Sequence, residues 1–199
     1  MSQHYELGKE PESPEERQQL LGQREQAEQM VEAQALTHVQ AAVLECLIEQ
    51  KGYAEQEIVV NVGYPLTLAD GTSFQATADL VVVLNNRSYM AIKCAMSSLE
   101  SWDRYLVAFC RVAASCRIPW AVISDGTDVR RINTFDGTAD SGHMALIPDR
   151  AAALAEMEKT STECFSAERS EREKRILYAF DAIRCPTLPT GYPKQPHVR

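Results

Sequence analysis

Hydrophobic residues first recur at helical spacing between residues 36 and 50. The apolar positions there follow one another at steps of three and four residues, which predicts an amphipathic helix that Gly52 can end in the left-handed conformation. Upstream, Ser13, Pro14 and Glu16 form a helix start signal. The Gln- and Glu-rich stretch that follows, to about residue 33, has few apolar residues and is interpreted as a solvated helix or a frayed arm.

After Gly52 the hydrophobic period changes from 3.6 toward 2, and β-branched residues become frequent. Three strands are predicted, over residues 57–62, 73–84 and 88–95. Turn-forming residues separate them, at 69–71 and at 85–87. These segments therefore predict an antiparallel meander.

A second helix is predicted from Ser97, its N-cap, to about residue 116, because apolar residues again recur at helical spacing. Two further strands follow, over residues 120–124 and 129–135. A helical connection of this length allows strands 88–95 and 120–124 to pair in parallel. The predicted order is α-β-β-β-α-β-β.

Beyond residue 147 the pattern predicts one helix after Pro148-Asp149 and another near residues 166–184. A proline-rich tail follows and is expected to be disordered or draped over the domain. The chain is thus divided into an acidic helical or disordered arm, a core domain, C-terminal helices and the tail. Their expected bounds are residues 1–33, 34–147, 148–185 and 186–199.

Composition places the 199-residue chain among ordinary globular domains, with 45% apolar residues and a net charge of −8. Its six cysteines contain no Cys-x-x-Cys pair, and most lie in apolar segments, so we interpret them as reduced core residues in the cytoplasm. No basic stripe is present, which argues against nonspecific nucleic-acid binding of high affinity. Four arginines in the second half are interpreted as ordinary surface residues: Arg111, Arg117, Arg130 and Arg131.

Several function classes are excluded by missing patterns. Apolar runs such as residues 80–84 are far shorter than the roughly 20 residues that span a bilayer, so no membrane association is expected. The polar, acidic first 20 residues do not resemble a signal peptide. Neither type of glycine-rich phosphate loop occurs, so no nucleotide cofactor is expected.

Two charges stand out inside apolar strands, Asp79 and Lys93. A charge in a buried strand costs several kcal/mol unless it is paired or hydrated. If residues 85–87 form a three-residue loop, Asp79 lies opposite Lys93 and Val81 opposite Ala91, on one face of the sheet. A two-residue loop would send the two charges to opposite faces.

An aspartate followed on the next strand by an acid-x-lysine is typical of metal-dependent phosphodiester hydrolysis. Asp79 and Lys93 stand at the positions of that aspartate and that lysine. The sequence over about 36–135 resembles the N-terminal domain of type I restriction enzyme R subunits (HsdR), a PD-(D/E)XK nuclease family. The segments that carry the resemblance are LIEQKGY (47–53), TADLVVVL (77–84), SYMAIKCA (88–95), WDRY (102–105) and IPWAVISDGTDVRRI (118–132).

The resemblance implies a restriction-endonuclease-like α/β fold, with an α-β-β-β-α-β core, a mixed central sheet and here a helical C-terminal extension. It also implies a Mg²⁺- or Mn²⁺-dependent DNA endonuclease. Asp79 matches the metal-binding aspartate and Lys93 the catalytic lysine, which orients or deprotonates the attacking water. Arg104 and Tyr105 match the family's helix pair, a candidate substrate contact, although a helix surface pair is the favoured interpretation.

One departure weakens the nuclease prediction: the acid two residues before Lys93 is Ala91 here. A displaced carboxylate could complete the metal site, and the candidates are Glu45, Glu57, Glu100 and Asp103. Glu45 is taken with Asp79 as the predicted pair of metal ligands, and the other three acids stay open as alternatives. The expected function is an R-subunit-like domain with impaired or lost cleavage. The alternative is a non-catalytic module that binds DNA, or a protein partner in trans.

Overall fold

The computed structural model describes residues 13–96, 98–114, 117–159 and 166–183. The predicted tail, residues 186–199, lies outside the described residues, as do the first 12 residues and the Ser97 cap. The helices are α1 (Pro14–Glu45), α2 (Asp103–Val112), α3 (Arg150–Lys159) and α4 (Ala167–Ile183). The strands are β1 (Ile58–Thr67), β2 (Ser73–Leu84), β3 (Arg87–Cys94), β4 (Trp120–Ser124), β5 (Asp128–Asn133) and β6 (Ala139–His143).

The six strands form one sheet in the order β1-β2-β3-β4-β5-β6. All neighbouring pairs are antiparallel except β3 and β4, which are parallel as predicted. The sheet is therefore mixed, and the predicted α/β fold class is confirmed. None of the described helices combines the length and apolar character that crossing a bilayer requires.

Alternation along the strands gives the sheet two apolar faces. Leu80 and Ile92 belong to one face, whose core cluster also contains α1 residues such as Val43 and α3 residues such as Met157. The opposite face, which includes Ala91, packs against α2 and α4. Helices thus cover both faces, which positions the strand-borne charges Asp79 and Lys93 between the sheet and its helical cover.

The two predicted N-terminal segments form one continuous helix. α1 begins at Pro14, runs past residue 33 without interruption and continues as a π-helix over Cys46–Gln50. Gly52 follows at φ 74°, the left-handed conformation expected where a helix ends. The change from exposed to buried side chains near Val39 therefore marks where α1 reaches the sheet, with no break in the helix.

The second helix, β1 and β6 differ most from the prediction. The second helix is shorter than 97–116: a 3₁₀ turn over Leu99–Trp102 precedes α2, which ends at Val112. β1 continues to Thr67 through Pro65, which an edge strand tolerates. β6 was not predicted, because its sequence ADSGH has no apolar alternation and its residues are mostly exposed.

Candidate functional site

Asp79 and Lys93 form an ion pair on neighbouring strands, as their predicted register requires. Lys93 Nζ lies 2.9 Å from Asp79 Oδ1, and the two side chains are only 10% and 13% exposed. The second carboxylate oxygen, Asp79 Oδ2, accepts a hydrogen bond of 2.6 Å from the backbone N–H of Cys94. Both oxygens of this carboxylate are therefore engaged within the protein.

The register follows from the paired residues of β2 and β3 next to the site. Val81 pairs with Ala91 and Leu80 with Ile92, so continuing the ladder by one residue places Asp79 opposite Lys93. Val81 and Ala91 belong to the cluster under α2, so the two charges share this face of the sheet. The predicted meeting of Asp79 and Lys93 is confirmed. The three-residue loop from which it was predicted is wrong, because the hairpin has two residues, Asn85 and Asn86.

Trp102 covers the pair from the 3₁₀ turn that precedes α2. Its ring centroid lies 5.1 Å from Lys93 Nζ, within the range of a cation–π contact. The Trp102 side chain is half-buried. The ammonium group is therefore enclosed by a carboxylate and an aromatic ring, which compensates part of its desolvation.

A glutamine from α1 reaches the same strand position from the other side. Gln40 Nε2 donates to the Asp79 backbone oxygen at 3.1 Å and to Asn61 Oδ1 at 2.9 Å. Asn61 lies on β1 with φ 53°, a left-handed conformation that asparagine tolerates. Sequence reasoning missed both residues; the signal in α1 was a polar side chain between the buried positions Val39 and Val43.

Ala91 occupies the strand position where the family pattern has its second acid. The residue is 0% exposed and belongs to the apolar cluster that includes Phe109 and Ile123. A methyl group offers no oxygen ligand, and this position is filled by packed apolar atoms. Strands β2 and β3 together therefore supply one carboxylate, that of Asp79 on β2, where two would be needed.

Two of the four candidate replacement acids lie near the N-terminal half of the fold. Glu45 is exposed at the end of α1, while Val43 and Leu47, two residues away on either side, are buried. Helical geometry turns Glu45 about 200° from these residues and away from the sheet. Glu57 accepts two-pronged hydrogen bonds of 2.7–3.0 Å from Arg150, which lower the pKa of the carboxyl group.

The other two candidates flank Trp102. Glu100 is exposed and accepts a hydrogen bond of 2.8 Å from Ser98 Oγ. Asp103 pairs with Arg130 of β5, with nitrogen–oxygen distances of 2.8–2.9 Å. This ion pair also raises the pKa of the Arg130 guanidinium group. Glu57 and Asp103 thus have structural partners within the chain, and Glu45 and Glu100 face solvent.

Tyr105 and Arg104, adjacent on α2, have different environments in the structure. Tyr105 is 3% exposed, so the interpretation that it lies on the helix surface is wrong. Its hydroxyl donates to the Thr77 backbone oxygen and accepts from the Thr77 N–H, both at 2.9 Å. Its ring packs edge-on against Trp102 and Phe180. Arg104, next to it on α2, is exposed.

The residues present do not fit a divalent metal ion of the Mg²⁺ type. Such an ion prefers near-octahedral oxygen ligation, commonly with more than one protein carboxylate or with substrate phosphates. Among the described residues, no group of three or more His, Cys, Asp or Glu side chains is arranged to hold a metal. The predicted ligand pair Asp79 and Glu45 stays a prediction.

Fold and ion pair together define the class of protein. The α-β-β-β-α-β order, the mixed sheet and an aspartate opposite a lysine on β2 and β3 are those of a restriction-endonuclease-like α/β domain. Residues 38–148 match the family model described as "Type I restriction enzyme R protein N terminus (HSDR_N)", and the chain belongs to this family. No curated protein and no solved structure matches the chain.

Proposed function

We propose that this chain is a non-cleaving member of the R-subunit N-terminal family that acts as an interaction module. The observation that carries the proposal is the state of Asp79, whose two oxygens are bonded to Lys93 Nζ and to the Cys94 N–H. A metal ion at the remaining lone pairs would have to share this carboxylate with the positive charge of Lys93. It would gain a single carboxylate in return, because Ala91 supplies none.

Electrostatics supports the same conclusion. In a working site of this kind, two carboxylates attract the metal ion and outweigh the nearby lysine. Here Asp79 and Lys93 neutralise each other, and Trp102 covers the ammonium group. The local charge that would draw a divalent cation is therefore close to zero. The Lys93 ammonium group also donates a hydrogen bond of 2.9 Å to Asp79 Oδ1.

The chain's charge favours a protein partner over DNA. The net charge is −8, and binding to duplex DNA depends largely on neutralising phosphates with basic side chains. Several of the arginines interpreted above as surface residues already pair with carboxylates, as in Arg111–Glu173 and Arg131–Asp140. In this proposal the partner is a protein that binds in trans in the cytoplasm, where the buried thiols Cys46 and Cys94 stay reduced.

A cleavage assay tests the proposal directly. Supercoiled plasmid and single-stranded DNA are incubated with the full chain in Mn²⁺, the more permissive ion, beside the Asp79→Ala variant. We expect equal, background-level nicking by both proteins. Nicking by the wild type that disappears in Asp79→Ala would overturn the proposal and establish an endonuclease with a displaced acid.

A metal titration gives a second, activity-independent readout. Binding of Mn²⁺ to the full chain is followed by electron paramagnetic resonance, with Glu45→Gln and Asp103→Asn as variants. We expect no stoichiometric site in any of the three proteins. A site that is lost in one variant would identify that residue as the missing ligand and would contradict the proposal.

A further inference from the structure

A row of aromatic rings runs from the Asp79–Lys93 pair to the last turn of α4. The Trp102 ring, whose centroid is 5.1 Å from Lys93 Nζ, packs edge-on against Tyr105 at a centroid distance of 5.7 Å. Tyr105 in turn packs edge-on against Phe180 at 5.5 Å. Trp102 and Phe180 are half-buried, so both ends of this aromatic row (Trp102, Tyr105 and Phe180) are partly accessible to solvent.

The chain leaves α4 next to the aromatic row. α4 ends at Ile183, three residues after Phe180, which is a rise of roughly 4.5 Å along the helix. Residues 184–199, which we call the C-terminal segment, follow α4 and lie outside the described residues. A proline-rich stretch of this length can span roughly 50 Å. The segment therefore starts close to Phe180 and is long enough to cross the aromatic row.

The composition of the C-terminal segment suits an aromatic surface. Four of its 16 residues are prolines, and Leu188 and Tyr192 stand between them. Proline-rich segments bind aromatic-lined grooves, because they lose little conformational entropy when they bind and present apolar rings to the aromatic side chains. The aromatic row offers a surface of this kind at the point where the segment begins.

Charge favours the same contact. The C-terminal segment contains no acidic residue and three basic ones, Arg184, Lys194 and Arg199, so residues 1–183 carry a net charge of −11 in a chain of −8. Within two positions of the row members, three residues are acidic and one is basic: Glu100, Asp103, Asp181 and Arg104. Asp103 pairs with Arg130, which leaves a local excess of one negative charge. The basic segment is therefore attracted both to the body of the domain and to this surface.

We infer that the C-terminal segment docks on the aromatic row of its own chain and covers the outer side of the Asp79–Lys93 site. The covalent link to α4 makes the contact intramolecular, with an effective concentration in the millimolar range, so even a weak contact is populated. A second copy of the chain is a poorer occupant because it brings another net charge of −8. No metal ion or DNA takes part in this contact, so the inference is independent of whether the chain cleaves DNA.

Photo-cross-linking in the full chain tests the inference. The photoreactive amino acid p-benzoylphenylalanine replaces Tyr192, which keeps an aromatic ring at that position, and the products are mapped by peptide mass spectrometry. We expect cross-links to peptides that contain Trp102 or Tyr105. The control carries the same amino acid at Glu158, an exposed position on α3 at the other face of the sheet, and should not give these products. The absence of these products for position 192, or products scattered over the whole surface, would overturn the inference.

Isotope mixing identifies the occupant of the aromatic row. Equal amounts of ¹⁵N-labelled and unlabelled chains are mixed before irradiation. We expect both halves of each cross-linked peptide pair to carry the same label, because the segment docks on its own chain. Pairs that combine a labelled with an unlabelled half would show that a second copy supplies the segment and would contradict the inference.

Charge variants separate a defined contact from general electrostatics. In the chain that carries the photoreactive residue at position 192, Lys194→Glu with Arg199→Glu reverses the charge of the C-terminal segment, and we expect the cross-link yield to fall at least about threefold. The matched control, Arg87→Glu with Lys159→Glu, makes the same change in net charge at exposed positions outside the aromatic row. We expect this control to retain most of the yield. Equal yields from the two double variants would overturn the inference.

Discussion

Lys93 Nζ lies 2.9 Å from Asp79 Oδ1 in a pair of side chains that are about nine-tenths buried. Removing one member of such a pair leaves an unpaired buried charge, which costs about 3 kcal/mol or more. We therefore expect Asp79→Leu and Lys93→Met each to lower the free energy of unfolding by about this amount. The double variant should be more stable than the sum of the single effects predicts. Urea unfolding of all four proteins measures the coupling.

An exposed ion pair provides the matched control for this cycle. Arg172 and Glu168 lie four residues apart on α4, and their side chains are largely exposed. Such pairs contribute about 0.5 kcal/mol or less. A coupling free energy for Asp79–Lys93 no larger than that for Arg172–Glu168 would contradict the claim that the buried pair stabilises the fold.

Tyr105→Phe tests whether this residue is structural. The variant keeps the ring that packs against Trp102 and Phe180 but removes the hydroxyl that bonds to both backbone groups of Thr77. We expect a loss of about 1–2 kcal/mol, because two part-buried backbone groups lose their partner. The measurement is the free energy of unfolding in urea.

The control for Tyr105→Phe is a tyrosine with more solvent access. Tyr178 on α4 is 39% exposed and packs edge-on against Phe74. We expect Tyr178→Phe to change stability by less than about 0.5 kcal/mol. Equal losses in the two variants would show that the Thr77 bonds contribute little.

The pairing of Asp79 with Lys93 was predicted, but for an incomplete reason. The sequence interpretation assumed a three-residue loop, whereas the hairpin has two residues, Asn85 and Asn86, and pairs Leu84 with Arg87. That loop alone would have put the charges on opposite faces. An irregularity opposite Val82 and Val83 inserts Tyr89 as an extra residue and restores the register. A bulge of this kind leaves no pattern that a single sequence reveals.

The fold was more predictable than the site because strands and helices follow from local periodicity. The parallel pairing of β3 with β4 follows from the length of the α2 connection, and the structure agrees. Which acid approaches Asp79 depends on distant packing that periodicity does not encode. Glu57 and Asp103 are examples: their partners, Arg150 and Arg130, are 93 and 27 residues away in sequence.

Cys94 is expected to react slowly with thiol reagents. Burial, followed by the nearby carboxylate of Asp79, raises the pKa of its thiol to about 12. The thiolate is the reactive form, so at pH 8 only a very small fraction is available. Iodoacetamide labelling followed by peptide mass spectrometry should show little modification at Cys94 in the native protein. The same peptide should label fully in urea.

A variant sharpens this labelling test. Asp79→Asn removes the neighbouring negative charge while keeping a similar side-chain shape, but burial of Cys94 remains the larger cause of its raised pKa. We therefore expect labelling in this variant to stay slow as long as the fold is intact. Fast labelling of Cys94 in the folded wild type would contradict the buried position.

Glu57 should make stability depend on pH in the acid range. Its hydrogen bonds from Arg150 are the main cause of a folded-state pKa below the ordinary value of 4.5. A depressed pKa means that the unfolded chain binds the proton more readily, so folding is favoured while the group is ionised. This contribution is fully present above pH 4.5 and is lost as the pH falls through the lower folded value.

Unfolding free energies of the wild type and Glu57→Gln, measured from about pH 6 to pH 3, should therefore converge as the pH falls. Glu158→Gln, at an exposed position on α3, is the control and should lie parallel to the wild type across the range. A constant difference between wild type and Glu57→Gln would mean that the Arg150 contact does not depend on the charge of Glu57.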